Sequence, residues 1–137
     1  MAHTVQEVMT SNPTTVRPDS PATEAAQIMK NEDTGIVPIA DGDRLAGVIT
    51  DRDLTLKIVA EGGSPETTVG ELASKDLVTI DPQQSLEEAA RLMAEHQVRR
   101  LPVVEEDGRL VGILSQKDVA EAGHDTLTGE VVQRISQ

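Results

Sequence analysis

The chain contains an internal duplication, and a repeat of this length constrains the fold more than any other feature of the sequence. Residues 4–8 (TVQEV) match residues 68–72 (TVGEL) at an offset of 64, and a single residue is inserted later in the second copy. After that insertion, residues 45–50 (LAGVIT) match residues 110–115 (LVGILS). Matches that stay in register with a single gap indicate a tandem duplication, so both copies are expected to adopt the same fold.

Each copy predicts a short strand followed by an amphipathic helix. The strands lie around residues 14–16 and 78–80, and a proline closes each of them. Ser20 followed by Pro21 predicts an N-cap and a first-turn proline in the first copy, whereas Ser85 begins a capping box in the second. Apolar residues recur at the helical spacings of three and four. They are Ala22, Ala25, Ala26 and Met29 in the first helix and Leu86, Ala89, Ala90 and Met93 in the second.

Two β-branched runs follow each helix and are separated by turn residues, which predicts a hairpin in each copy. In the first copy the runs are residues 36–40 and 45–49, joined through an Asp-Gly-Asp turn. In the second copy they are residues 101–104 and 110–114, joined through Asp107-Gly108. A second helix is predicted to begin after each hairpin. The element order is therefore β-α-β-β-α, given twice, which places the chain in the α+β class.

The two copies are expected to pack as one intertwined module with pseudo-twofold symmetry. Each copy has about 60 residues, a length at which a single hydrophobic core is marginal. The alanines on the predicted helices suit close approach of the copies, and residues 62–65 (GGSP) are typical of a linker. The repeats span residues 5–62 and 68–123. Residues 124–137 form a tail in which LTGEV, at 127–131, echoes the opening of each copy and predicts a last helix.

The composition excludes several classes of protein. With 24 acidic against 12 basic residues, the chain lacks the clustered cations that neutralise nucleic-acid phosphates, and without Phe, Tyr or Trp it lacks stacking surfaces for bases. No nucleic-acid partner is therefore expected. The absence of cysteine excludes disulfides and thiolate ligands. Neither a signal peptide nor an apolar run of membrane-spanning length is visible, so we expect a cytoplasmic protein without membrane association.

The closing motifs of both copies resemble those of the CBS domain family, whose tandem pairs are also called Bateman modules. Residues 47–53 (GVITDRD) and 112–118 (GILSQKD) match the family pattern of Gly, two apolar residues, Ser or Thr, two variable residues and Asp. The apolar-Pro-apolar strands at 37–39 and 101–103 match as well. The resemblance runs over nearly the whole chain and is greatest to stand-alone bacterial CBS-pair proteins, including the hypoxic-response type.

This resemblance implies a regulatory module that binds an adenine nucleotide or another adenosyl ligand, with no obligatory cofactor. Thr50 and Asp53 have two interpretations. They form a common helix start, in which the Thr50 hydroxyl accepts a hydrogen bond from the N–H of residue 53. They also suit nucleotide contact, because N–H groups at a helix start favour phosphate and an Asp carboxylate accepts hydrogen bonds from ribose hydroxyls.

The family arrangement implies two clefts between the copies, and the residues of each cleft follow by position. One cleft is expected to contain Thr14, Thr34, Gly35, Arg99, Arg100, Ile113, Ser115 and Asp118, and the other to contain Val48, Thr50, Asp53, Val78 and Val98. In the second of these clefts, which is formed around the first closing motif, Arg52 or Lys57 could supply positive charge.

The two clefts differ in charge at one pair of aligned positions. Arg99-Arg100 in the second copy corresponds to Gly35-Ile36 in the first, so the cleft that contains Asp118 is expected to bind the phosphorylated ligand. A solvated basic edge, with the arginines paired to Glu95 or Glu105, is the alternative interpretation.

Three functions from different classes are compatible with the residues to different degrees. A ligand sensor, homodimeric and acting on an unknown protein partner, is the first. The alternative is a structural or interaction protein whose clefts stay empty. Catalysis is not expected, because no nucleophile is paired with a base. No metal is expected either, since His3, His96 and His124 have no spacing that resembles a metal site.

Overall fold

The computed structural model describes residues 3–74 and 77–126, with side chains up to Gly123. The last helix predicted from residues 127–131 lies outside the described residues. The α+β class is confirmed, since helices and strands alternate along both repeats. In chain order the elements are α1 (Val5–Val8), β1 (Thr10–Ser11), α2 (Ala22–Glu32), β2 (Ile36–Asp41), β3 (Arg44–Thr50), α3 (Asp51–Leu54), a π-helical segment (Thr55–Ala60), α4 (Val69–Leu72), α5 (Leu86–His96), β4 (Arg100–Val104), β5 (Leu110–Ser115) and α6 (Gln116–Thr126).

Both predicted hairpins are confirmed. β2 pairs antiparallel with β3, from Ile36 opposite Thr50 at the open end to Asp41 opposite Arg44 at the turn. Gly42 adopts a positive φ of 67° in that two-residue turn, a conformation that glycine takes without steric cost. In the second repeat β4 and β5 are neighbours in a three-stranded sheet of order β1-β5-β4.

β1 is an element that the sequence did not predict. It has only two residues, and both are exposed, so it carries no hydrophobic alternation that could reveal a strand. It pairs antiparallel with β5, placing Thr10 opposite Ile113 and Ser11 opposite Gly112. The equivalent position in the other repeat, Ser74, makes an isolated antiparallel bridge to Val48.

The strands predicted around residues 14–16 and 78–80 are shorter than expected. Each is reduced to one bridging residue, Val16 parallel to Ile39 and Ile80 parallel to Val103. The Val16 N–H donates to the Pro38 carbonyl at 3.1 Å, and the Ile80 N–H makes the same bond at 3.1 Å in the second repeat. A proline follows two residues later in both copies and lacks the N–H that a longer ladder would need.

One of the two predicted caps of the long helices is confirmed and one is wrong. Ser85 caps α5, since its hydroxyl accepts a hydrogen bond from the Glu88 N–H at 3.1 Å, whereas the Glu88 carboxylate, which was predicted to complete a capping box, accepts from Arg91 instead. In the first repeat the N-cap residue is Pro21. The Ser20 hydroxyl accepts instead from the Arg17 N–H at 3.0 Å, which closes the turn before the helix.

The chain divides into two compact units, and each takes its opening segment from the other repeat. Of the described residues, 3–11, 78–106 and 111–126 form unit 1, and 12–74, 77 and 107–110 form unit 2. The Val5 N–H donates to the Gln84 carbonyl at 2.8 Å, and the aligned Val69 N–H donates to the Ser20 carbonyl at 2.8 Å. The same backbone connection is therefore made twice, once within each unit.

Each unit has its own hydrophobic core. Ala25 and Ala89, both fully buried, pack inside the core of their own unit, whereas Ala26 and Ala90 are exposed. The buried residues of the unit 1 core are Val5, Ile80, Ala89, Met93, Leu101, Val103 and Leu114. Those of the unit 2 core are Val16, Ala22, Ala25, Met29, Val37, Ile39, Ile49, Val69 and Leu72.

The helix predicted after Thr50 changes geometry after its first turn. It is α-helical from Asp51 to Leu54 and π-helical over Thr55–Ala60, a geometry that is rare outside functional or strained segments. Leu56 and Val59 are 42% and 76% exposed on this segment. Within the described residues, no helix combines the length and the apolar character that crossing a bilayer would require.

The two closing-motif glycines make a matched pair for testing the role of β1. A methyl group on Gly112 would lie 2.9 Å from the Thr10 carbonyl oxygen and would overlap the Met9 side chain, whereas one on Gly47 would lie 3.6 Å from its nearest neighbours. We therefore expect Gly112→Ala to lower the free energy of unfolding by about 1–2 kcal/mol and Gly47→Ala to change it by less than about 0.5 kcal/mol. Urea unfolding followed by far-UV circular dichroism measures both, and equal effects would contradict the close approach of β1.

Candidate functional site

Each unit carries the same capped helix start at its closing motif. The Thr50 hydroxyl accepts from the Asp53 N–H at 3.1 Å, and the Asp53 carboxylate accepts from the Thr50 N–H at 3.0 Å. Ser115 and Asp118 make the same reciprocal pair, at 3.0 and 3.1 Å. The capping interpretation is thus confirmed for Thr50 and Asp53, and both aspartates are held in the first turn of their helices. Nucleotide contact by these residues stays a prediction.

The residue before the hairpin lies against the start of the helix in both units. The Gly35 carbonyl accepts from the Asp51 N–H at 2.9 Å, and the Arg99 carbonyl accepts from the Gln116 N–H at 2.7 Å. Asp51 and Gln116 were not among the candidate residues, although both lie within the closing motifs. We call Gly35, Thr50, Asp51 and Asp53 the Thr50 cluster, and Arg99, Ser115, Gln116 and Asp118 the Ser115 cluster.

The other candidate residues of unit 2 are Thr34, Val48 and Thr14, and they differ in exposure. Thr34 is half-buried, and its hydroxyl both donates to the Ile36 carbonyl (3.2 Å) and accepts from the Ile36 N–H (3.3 Å). Val48 is buried on β3, with 9% of its surface exposed. Thr14 is exposed and precedes the bridging residue Val16.

The apolar candidates of unit 1 are partly buried. Val78 and Val98 pack against the core of the unit, and Ile113 lies on β5 opposite Thr10. Their partial exposure leaves aliphatic surface that a ligand could cover.

Arg99 and Arg100 make no ion pair within the part of the chain that the structure describes. Of the two carboxylates that the alternative interpretation named, Glu95 is paired with Arg91 at 2.8 Å. Arg91 also contacts Glu88, and its hydrogen bond lowers the pKa of the Glu88 carboxyl below the ordinary value. Arg99 is exposed and Arg100 half-buried, so among the described residues the Ser115 cluster has two cations at or next to it in sequence that no carboxylate pairs with.

The Thr50 cluster has the opposite electrostatic character. Gly35 replaces the aligned arginine, and the Asp51 carboxylate lies beside it, with Oδ2 3.0 Å from where a glycine-to-alanine methyl would be. The Lys57 ammonium does not compensate, because it donates to the Leu72 carbonyl at 2.7 Å and so caps the end of α4.

No three His, Asp or Glu side chains come together as cation ligands in the described residues. His3 contacts Glu7 at 3.1 Å on α1, a pair within one helical turn.

Comparison with known proteins gives a consistent result. The CBS domain family model matches residues 5–60 and 69–125. The CBS domain-containing protein YhcV of Bacillus subtilis is 42% identical over 116 residues, which cover 85% of this chain and 82% of YhcV. Hypoxic response protein 1 of Mycobacterium tuberculosis is 44% identical over 119 residues, with the same coverage of 85% and 82%.

Solved structures agree with these relatives. A crystal structure of Hypoxic Response Protein I with two coordinated zinc ions has a TM-score of 0.80 at 43% identity, covering 87% of this chain and 98% of that one. A crystal structure of CBSX2 in complex with AMP has a TM-score of 0.78 at 31% identity, covering 90% and 97%. The family model matches two ranges of the chain, the capped motif occurs once in each range, and the solved structures share the architecture. The chain therefore belongs to the CBS domain family and contains two CBS domains in tandem.

Proposed function

We propose that this protein is a regulatory sensor that binds an adenine nucleotide at the Ser115 cluster and thereby changes its interaction with a partner protein. The observation that carries the proposal is the position of Arg99 and Arg100, two arginines without a described ion pair in a chain of formal charge −12. Their planar guanidinium groups suit bidentate binding of phosphate. CBSX2, solved with AMP, is a relative in structure whose ligand has this chemistry.

The ribose of the nucleotide would be held by Asp118. One oxygen of its carboxylate already accepts the Ser115 N–H, which fixes the orientation of the group. An ionised carboxylate offers about four lone-pair positions, so it can also accept from both ribose hydroxyls. The cap therefore pre-orients the residue that would recognise the ligand.

The remaining contacts would come from polar and aliphatic side chains at the aligned positions. With no aromatic residue in the chain, the adenine ring would pack between aliphatic groups. Over the two clefts that the family resemblance implies, the residues that we propose for contacts with an adenosyl ligand are Thr14, Thr34, Gly35, Ile113, Val48, Thr50, Asp53, Val78 and Val98.

Regulation requires that the nucleotide binds one conformation of the protein better than another. We place the response at an interface, either between two copies of the chain or with a different protein. The exposed side chains of Leu56 and Val59, on the π-helical segment, are candidates for contact between two copies. Neither cluster joins a nucleophile to a base, so the proposed role is non-catalytic.

Calorimetric unfolding in the presence of AMP, ADP and ATP, each at about 1 mM, tests the proposal. A ligand at 100 times its Kd adds about 2.7 kcal/mol of stability, which raises Tm by several degrees. Asp118→Ala should weaken binding about tenfold and so reduce that gain to about half. Ser85→Ala is the control, because it removes a cap hydrogen bond of the same length outside the cluster. If no nucleotide raises Tm, the scaffold with empty sites becomes the better description.

A further inference from the structure

We infer that the two clusters accept chemically different ligands: the Ser115 cluster a phosphorylated adenosyl compound, and the Thr50 cluster an adenosyl compound whose 5′ substituent carries no negative charge. The assignment rests on the proposed function, because it presumes that both aspartates bind ribose. It adds a basis for selectivity, with Asp51 and Gly35 as the residues that determine it.

The first support is steric. At position 35 the chain has no side chain, and the space in which one would begin is bordered by the Asp51 carboxylate, with Oδ2 at 3.0 Å and Cγ at 3.3 Å from the ideal Cβ position. The aligned position in the second repeat carries the guanidinium of Arg99. The aligned positions therefore differ: one carries an arginine, and the other has no side chain and an Asp51 carboxylate beside it.

The backbone of Asp51 is fixed on both sides by hydrogen bonds. Its N–H donates to the Gly35 carbonyl at 2.9 Å, and its own carbonyl accepts from the Thr55 hydroxyl at 2.9 Å. Gln116, the aligned residue, has the same backbone bond to Arg99 but an uncharged side chain. The two clusters therefore share the same backbone hydrogen bond and differ in the charge of the side chain that follows it, Asp51 in one and Gln116 in the other.

The second support is the distribution of the neighbouring cations. Near the first closing motif, the Lys57 ammonium donates to the Leu72 carbonyl. The other basic residue there is Arg52, which lies between two aspartates in the sequence. Near the second closing motif, Lys117 is paired with Glu121 at 3.8 Å, so the cations that remain are Arg99 and Arg100. Like charges at short range repel, so a phosphate is disfavoured at the Thr50 cluster and favoured at the Ser115 cluster.

Titration calorimetry with two probes tests this assignment. AMP carries a phosphate, and 5′-methylthioadenosine carries a neutral thioether on the same nucleoside. We expect Asp118→Ala to weaken AMP binding at least about tenfold with 5′-methylthioadenosine binding unchanged, and Asp53→Ala to do the reverse. Ser85→Ala removes a cap hydrogen bond that lies outside both clusters, and it should leave both affinities unchanged.

A gain-of-function variant keeps the test independent of any folding defect in Asp53→Ala. Gly35→Arg combined with Asp51→Ala removes the carboxylate that borders position 35 and supplies the missing cation. The number of AMP molecules bound per chain should rise from one to two. An unchanged AMP stoichiometry would overturn the assignment, as would loss of both probes in the same single variant. Absence of binding by both probes would overturn the proposed function as well, so the two failures are distinguishable.

Discussion

Replacing Val5 by alanine is expected to lower the free energy of unfolding by about 2–3 kcal/mol and to loosen the hairpin of the second repeat, although Val5 belongs to the first. Val5 is fully buried in the unit 1 core, together with Leu101 on β4 and Leu114 on β5. Its removal leaves a cavity against those strands. Hydrogen–deuterium exchange should therefore accelerate in β4 and β5 before it does in β2 and β3.

The aligned residue provides the reciprocal experiment. Val69 is fully buried in the unit 2 core, so Val69→Ala should accelerate exchange in β2 and β3 by the same mechanism. Gln27→Ala is the control, because Gln27 is exposed on α2 and its truncation should change stability by no more than about 0.5 kcal/mol. If Val5→Ala loosened β2 and β3 first, the exchange of opening segments between the repeats would be contradicted.

The parts of the fold that the sequence predicted correctly are those fixed by local chemistry. Thr50 and Asp53 lie three residues apart at the end of an apolar run, and that spacing alone allows the reciprocal cap seen at 3.0 and 3.1 Å. The hairpin at Gly42 was equally visible, because alternating apolar runs flank a turn whose backbone favours glycine.

The parts that the sequence did not predict depend on contacts between distant segments. A repeat shows that Val5 and Val69 are equivalent. The sequence pattern is the same whether each valine packs with its own repeat or with the other, so it does not predict which arrangement forms. β1 forms only because β5 lies beside it. Asp51 occupies a variable position of the motif, and only its approach to Gly35 shows that a second carboxylate lies in the Thr50 cluster beside that of Asp53.

Replacing Arg99 and Arg100 together by alanine is expected to weaken AMP binding about 30- to 100-fold, or about 2–2.7 kcal/mol. Two charge-assisted bonds to phosphate would contribute more if both were buried, but Arg99 is exposed and its share is reduced by solvent screening. Titration calorimetry at two salt concentrations measures the effect. AMP affinity of the unmodified chain should fall as salt is raised, and the double variant should lose most of that dependence.

Arg17→Ala separates a local loss of phosphate contacts from a general change in charge. The Arg17 side chain is 80% exposed and lies 3.5 Å from Asp19, so its removal makes an acidic chain more acidic and leaves the hydrogen bonds of the Ser115 cluster intact. It should leave AMP affinity within about twofold of the unmodified chain, because an exposed charge that is paired with Asp19 is screened by solvent and salt. Were the double variant to bind AMP as tightly as Arg17→Ala does, the two arginines would be a solvated basic edge and the phosphate would have to be recognised elsewhere. Loss of affinity in the double variant alone would place the phosphate beside β4, next to the aspartate that the cap holds for the ribose.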